Sequence, residues 1–321
     1  MKKIVVLALV ILMIIPMIVS CGENKTVMNV GDFEVPYHLY RYVVLNARRD
    51  IEKQYGEDVW DTDKADEAEA ELTDNIKNAI ANLYTVLAIG AEYDLTWDGG
   101  AVNAEAKMAR DEIKREYEDD KDFKASLKEN FMTEDTFMFL VSNDILNNEA
   151  YSAMIDDNKN YSDTDYMMNM FRSDEFIRVK QILVGGENAG TDEENLKKAR
   201  EIKAKLDAGA DFDDVSREYN NDLFMFENSD GYYIMKGTRD FEFESAAFAL
   251  KVGETSDVVK TAAGYSIIKR YEKDEAYIEK NFKKLAEEYL ESVYTVKYET
   301  KFDEILKKIS LPDKYDVVTL K

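Results

Sequence analysis

Residues 261–270, TAAGYSIIKR, read as a tight turn followed by a strand. Gly264 frees the backbone to turn, and Tyr265, Ile267 and Ile268 supply the aromatic and β-branched side chains that favour a pleated, half-buried surface. Ser266 breaks that apolar run with a hydroxyl. The residues before it supply partners. EFIRVKQILV, 175–184, reads as a second strand. Thr191-Asp192-Glu193-Glu194 forms a capping box that opens a helix with Leu196, Ala199, Ile202 and Leu206 inward. Gly209 ends that helix, and Asp211 opens another through Tyr219. NNDLFMFENSDG is expected to be a loop leading to the strand YYIM. FEFESAAFAL reads as a short helix, DVVK and GYSIIKRYE as closing strands. The order β-α-α-β-α-β-β over 175–273 predicts a compact α+β unit.

The flanks differ in character. VMNVGDFEV, 27–35, predicts two short strands around Gly31-Asp32, and Pro36 suits the first turn of a helix. Helical spacing then recurs: Tyr40, Val43, Val44, Ala47 and Ile51; Leu72, Ile76, Ile80, Leu83 and Leu87 within about 64–93. A charged helix over 103–119, a short one over 123–131 and another from Thr133 to Ile155 follow. DDNKNYSDTD, 156–165, is a polar break and the expected domain boundary. Beyond the α+β unit, 274–309 reads as one or two amphipathic helices, with Ile278, Phe282, Leu285, Tyr289, Val293 and Val296 on the apolar stripe. A lone helix cannot hide such a face. The expectation is that both ends of the chain build one helical domain, with YDVVTL, 315–320, adding a strand to the 27–35 hairpin.

The 321 residues carry 42 basic and 66 acidic side chains, a formal charge of −24. Nucleic-acid binding, which needs clustered cations, is disfavoured. One cysteine, Cys21, and one histidine, His38, leave no disulfide and no Cys/His zinc site, and no metal or other cofactor is called for. His38 is expected on the surface of a helix or half-buried. At the start, MKKIVVLALVILMIIPMIVSC places two lysines before an apolar run from Ile4 to Val19, short of the roughly 20 residues that span a bilayer. It reads as a secretory signal. Ile18-Val19-Ser20-Cys21 resembles a bacterial lipobox, in which the chain is cut before the cysteine and the cysteine is lipidated.

Taken together, these segments resemble the parvulin-type peptidyl-prolyl isomerases, and more specifically the PrsA-type foldase lipoproteins and their relative SurA. VKQILV, 179–184, is similar to the family's first strand, GADFDDVSREYNND, 209–222, to its second helix and the acidic residue after it, Asp222. DGYY, 230–233, matches a common loop form. FESAAFAL, 243–250, matches the segment whose phenylalanine, Phe243, lines the proline pocket. KVGETSDVVKTAAGYSIIKR, 251–270, matches in its turn, with Thr261 at the family's threonine position. The resemblance implies an inserted, parvulin-like antiparallel-sheet α+β domain (175–273). It would sit within a helical chaperone domain built from residues 22–165 and a returning segment, 274–321, behind a signal peptide of residues 1–21.

Three positions depart from the family. Its paired active-site histidines are here Gln181 and Ser266, and its pocket methionine is Arg239, a cation where an apolar wall is expected. Gln181 can still donate and accept, whereas Ser266 is expected to be too short for an imidazole's reach. The plainer alternative makes Gln181 and Ser266 two sheet residues satisfied by neighbours, and Phe243 and Phe248 core rather than slot. YMMNMF, 166–171, is either an adaptable client-binding lip or core packing. The expected function is a folding factor on the outer face of the bacterial cytoplasmic membrane, lipid-anchored through Cys21. It would bind unfolded exported polypeptides and carry a degenerate or weak isomerase domain. An active prolyl isomerase is the alternative, and a solute-binding or adhesive lipoprotein a further one. A homodimer is compatible with the sequence.

Overall fold

The computed structural model describes residues 25–186, 190–227 and 230–312. The signal segment, Cys21 and YDVVTL lie outside the described residues. Two compact units emerge, one of residues 25–84, 106–141 and 305–312, the other of 85–105 and 142–304.

The first unit begins with the expected hairpin. Strand β1 (Thr26–Val30) pairs antiparallel with β2 (Phe33–Pro36), Val30 opposite Phe33. Gly31 takes the left-handed conformation that a two-residue turn requires (φ 60°). Pro36 closes β2 in an extended conformation and so precedes α1 (Tyr37–Tyr55) rather than lying inside its first turn. Leu39, Val43, Val44 and Ile51 bury one face of α1. Parts of α2 (Ala65–Glu92), α3 (Gly100–Lys114) and α5 (Glu134–Asp157), with α4 (Asp120–Glu129), complete the unit. Two buried polar groups tie it together. Tyr84 donates its hydroxyl to the carbonyl of Glu34 at 2.8 Å. His38 is buried, not superficial: its Nδ1 lies 2.9 Å from the hydroxyl of Thr136, also buried, at the start of α5. Burial is affordable for the imidazole because the threonine answers it.

The second unit holds the α+β order read from the sequence: α6 (Thr164–Arg172), β3 (Phe176–Gly185), α7 (Asp192–Asp207), α8 (Phe212–Tyr219), α9 (Leu223–Glu227), β4 (Tyr232–Met235), α10 (Phe241–Ala249), β5 (Val259–Thr261), β6 (Gly264–Tyr271), α11 (Glu275–Lys280) and α12 (Phe282–Leu306). The four strands form an antiparallel sheet in the order β4-β3-β6-β5. On one face Ile182, Val184, Tyr265 and Ile267 pack on Ala199 and Ile202 of α7 and Phe212 and Val215 of α8. On the other, Ile177, Val179, Ile234 and Ile268 pack on Phe243 and Ala247 of α10. The capping box at Thr191 and Glu194 is present. Helix α9 stands where the sequence suggested a loop.

The chain enters and leaves the sheet at one neck. Lys273, just after β6, donates to the carbonyls of Phe171, Arg172 and Ser173 (3.2, 2.7 and 2.7 Å), satisfying the C-terminal end of α6. Arg172 pairs with Glu275 and Glu279 at 3.0 Å. Met167 and Phe171 are core residues against Ile278 and Leu285, so YMMNMF serves packing rather than an open lip. Further along α12, Tyr294 donates to Asn147 of α5 (Oδ1, 2.7 Å), and Lys297 and Lys301 hold Glu92 at 2.5 and 2.9 Å. Val296, placed on the apolar stripe by spacing, is instead exposed (38 %). Among the described residues no helix is long and apolar enough to cross a membrane.

Buried and half-buried tyrosines recur, and they predict a pH dependence. Burial pushes the phenols of Tyr289 and Tyr294 up to about 12, and those of Tyr84 and Tyr271 higher. A phenol whose folded pKa is raised contributes stability that is complete below its unfolded value, about 10, and is lost as pH rises through the folded value. The denaturation midpoint should therefore be insensitive to these groups below pH 10 and fall from there toward 12. Phenolate absorbance should lag that of the unfolded chain. Coincident titration of folded and unfolded chains would refute the assignment.

Candidate functional site

Gln181 lies opposite Ile268 and Leu183 opposite Ser266 in the β3–β6 ladder. Residues two apart share a face, so Gln181 and Ser266 are diagonal neighbours on the α10 side of the sheet. Ser266 finds its partner within the sheet, as the plainer alternative expected. Its hydroxyl donates to Gln181 Oε1 at 2.9 Å, because the long amide side chain covers the diagonal from the other strand. Gln181 Nε2 donates in turn to Asp222 Oδ2 at 2.6 Å, and the hydroxyl of Tyr232 donates to the same oxygen at 2.6 Å. Asp222 Oδ1 accepts the backbone N–H of Phe224 (3.1 Å), which fixes the carboxylate at the start of α9. Ser266, Gln181, Asp222 and Tyr232 thus make one continuous chain of hydrogen bonds. Burial, with Asp222 accepting its hydroxyl, raises the Tyr232 phenol well above the usual tyrosine range. It therefore remains a donor at any physiological pH.

What holds Asp222 in place was not read from the sequence. Strand β3 runs on past the end of β4, leaving an open edge. Asn220, buried at the end of α8, covers that edge: Oδ1 accepts from Leu183 N and Nδ2 donates to Gln181 O, both at 2.8 Å. Asn221 N donates to Leu183 O at 2.8 Å. Two asparagines before an aspartate, directly after a helix, were the available signal. Asn side chains mimic backbone groups and can stand in for a missing strand. Tyr232 was legible only as part of DGYY. Gly231 in that motif has φ 85°, and a Cβ there would lie 2.5 Å from the carbonyl oxygen of Val179.

The other expected site residues are dispersed. Thr261 lies on the same sheet face as Ser266, but its hydroxyl donates to Gly264 O (3.2 Å) and closes its own hairpin. Phe243 is core, 5 % exposed, and Phe248 is half-buried against the same cluster with Lys236 Nζ 5.6 Å from its ring centroid. Arg239 does not fill an apolar slot. It is exposed, and its guanidinium lies 4.4 Å from the Tyr232 ring centroid, on which Phe224 also stacks at 4.7 Å. That is a cation–π placement, with the charge left in water.

Chemically, the centre has a hydroxyl, an amide, a carboxylate and a phenol, and no imidazole. Rotation about an X-Pro bond needs no nucleophile; its barrier of about 18–20 kcal/mol is amide resonance. A site lowers it by binding the twisted amide better than the planar one. Here the two hydroxyls and one amide hydrogen are already committed to neighbours.

A family model agrees with the extent of the sheet module. The domain model of the PPIC-type PPIASE family (rotamase) matches residues 176–272, from the first residue of β3 to just beyond β6. Foldase protein PrsA of Geobacillus kaustophilus (strain HTA426) is 42 % identical over 113 residues, 35 % of this chain and 36 % of that protein. That match spans little more than a third of the relative. Foldase protein PrsA 2 of Listeria monocytogenes serotype 4b (strain F2365) is 31 % identical over 252 residues, 75 % of this chain and 78 % of the relative. A crystal structure of a peptidylprolyl isomerase (PrsA) from Bacillus anthracis aligns over 73 % of this chain and all of that one, at 26 % identity and a TM-score of 0.44. With more than three quarters of a PrsA foldase matched at this identity and the rotamase module spanning the sheet, the chain belongs to the PrsA foldase family.

Proposed function

We propose that this protein is an extracytoplasmic folding factor, anchored to the membrane by a lipidated Cys21, that holds unfolded exported polypeptides and retains a weak parvulin-type prolyl isomerase. The domain organisation proposed with it is a helical body from residues 22–165 and 274–321 carrying the sheet module 175–273. The observation that carries the catalytic half is the hydrogen-bonded chain Ser266–Gln181–Asp222–Tyr232, which spends most of its donors internally; the resemblance implies that two of its members, Gln181 and Ser266, stand at the family's histidine positions. Gln181, Asp222, Thr261 and Ser266 are the catalytic-position residues of this reading, and Arg239, Phe243 and Phe248 those at the substrate pocket. The names of the relatives support the folding role. The test sets the isomerisation rate of a proline peptide beside suppression of aggregation of an unfolded client. Strong suppression with slow isomerisation supports the proposal; neither activity refutes it.

The anchor has its own test. Cys21→Ala should shift nearly all the protein from the membrane fraction to the medium, or leave an uncut precursor. The same mass at the same membrane would show that no lipid is attached there. Two acyl signals are needed for stable anchoring, so partial retention is not expected once the cysteine is gone.

A second reading, a fully active isomerase, is favoured by one feature. Asp222 receives two hydrogen bonds of 2.6 Å and so holds Gln181 and Tyr232 rigidly, as a preorganised site requires. The same rate measurement decides it.

A further inference from the structure

Strand β4 is the last strand on its side of the sheet, and its outer edge pairs with no other strand among the described residues. Unprotected edges recruit further strands. Along this edge lies a cavity of about 730 Å³, within the range of ligand pockets, roughly 300–1,000 Å³. All four β4 residues, Tyr232 to Met235, line it. Successive side chains of a strand point to opposite faces, so a space touched by all four runs along the backbone edge rather than over one face. The opposite wall is α12. It presents Glu288, Glu291 and Glu299, and Asp240 adds a fourth carboxylate; Arg239 and Lys284 are the cations, and Lys284 is paired with Glu288 at 3.4 Å. The aromatic surface exposed within it includes Phe224, 38 % exposed.

The geometry points to a binding slot in which an extended, cationic and aromatic polypeptide segment adds as a fifth strand on β4, facing α12. This rests on the reading of the chain as a holder of unfolded polypeptides and names where one class of segment sits. An added strand lies about 4.8 Å from β4 and takes its register from main-chain hydrogen bonds, which any extended sequence supplies. Selection then comes from side chains. The excess of carboxylates favours lysine and arginine, and the aromatic wall favours rings beside them. The slot shares Tyr232 with the Ser266–Gln181–Asp222–Tyr232 chain and Arg239 with the proposed substrate pocket, and extends from them along β4 to α12.

The probe is a blocked, fluorescent peptide of alternating lysine and phenylalanine, titrated by anisotropy into the full chain. Three comparisons test the slot. A peptide with glutamate for lysine should bind about tenfold more weakly, and one N-methylated on alternate backbone nitrogens should lose about as much. The variant Glu288→Gln/Glu291→Gln/Glu299→Gln should weaken the cationic peptide about fivefold, with an unchanged circular dichroism spectrum, and lessen its salt dependence. Equal binding of the N-methylated peptide, or undiminished binding by the triple variant, overturns the proposal. So does a tenfold gain in affinity on removing residues 313–321, which would make the chain's own end the occupant. Aggregation suppression is measured on the same samples. If it persists while peptide binding is absent, only the slot is refuted; if both are absent, the folding-factor reading fails with it.

Discussion

Gly231→Ala is expected to lower the melting temperature of the sheet unit far more than the same change at Gly253. Both glycines are left-handed, at φ 85° and 89°. A left-handed alanine costs about 1–2 kcal/mol through its own Cβ. At Gly253 nothing lies within 4 Å of a new Cβ, so that is the whole effect. At Gly231 the Cβ meets the Val179 carbonyl oxygen at 2.5 Å, a backbone atom inside the β3–β4 ladder that cannot swing aside. Strain and displacement together come to about 3 kcal/mol. In a unit of this size, residues 85–105 and 142–304, each kcal/mol moves Tm by about 2–4 °C, so the loss is about 6–12 °C at Gly231 and about half or less at Gly253. Calorimetry of the full chain reads both. Transitions within a degree or two of each other would show that β4 shifts freely away from β3, and would also remove the fixed edge on which the peptide slot depends.

Restoring the family's residues is expected to give the largest functional gain. Gln181→His, Ser266→His and Arg239→Met together replace a spent amide–hydroxyl pair with two rings on the same strand diagonal. They also exchange an exposed cation beside Tyr232 for an apolar side chain. The isomerisation rate constant should rise about tenfold or more, a barrier lower by about 1.4 kcal/mol. Circular dichroism guards against a change of fold. A wild-type rate already matching the triple variant, and abolished by Asp222→Asn, would make the present chain of hydrogen bonds an active site in its own right.

The elements that could be read in advance were those whose causes are local. The capping box at Thr191, the helix start at Asp211 and the apolar strands around Gln181 and Ser266 each carry their signal within a few residues. Helix α9 was missed because five residues give no helical period to detect, and its start is fixed by the Asp222 carboxylate. His38 was misplaced because its partner, Thr136, is remote in sequence. The union of Ser266 with Gln181 was hidden for a similar reason: side-chain length matters only once strand register is known. Arg239 could be recognised as a departure, but its resting place on Tyr232 depends on a turn and a ring that spacing does not locate.

The central ladder has a consequence for how this chain itself folds. Its β3–β6 pairs run from Gly185 with Gly264 to Arg178 with Tyr271, so each closes a loop containing most of the sheet unit. Loop entropy is spent before such contacts reward it, and folding rates fall as contacts become more remote in sequence. Delivered from its N-terminal end, β3 is available well before its central partner and waits with an unpaired edge. Helices α7 and α8 come next and can shelter Ile182 and Val184, but the ladder cannot close until β6 has been delivered too. Lys273 follows immediately, and its grip on the end of α6 pins the two ends of the newly closed loop. Reopening then requires breaking the neck as well as the ladder, which makes escape from the folded state slower than the strand pairing alone would dictate.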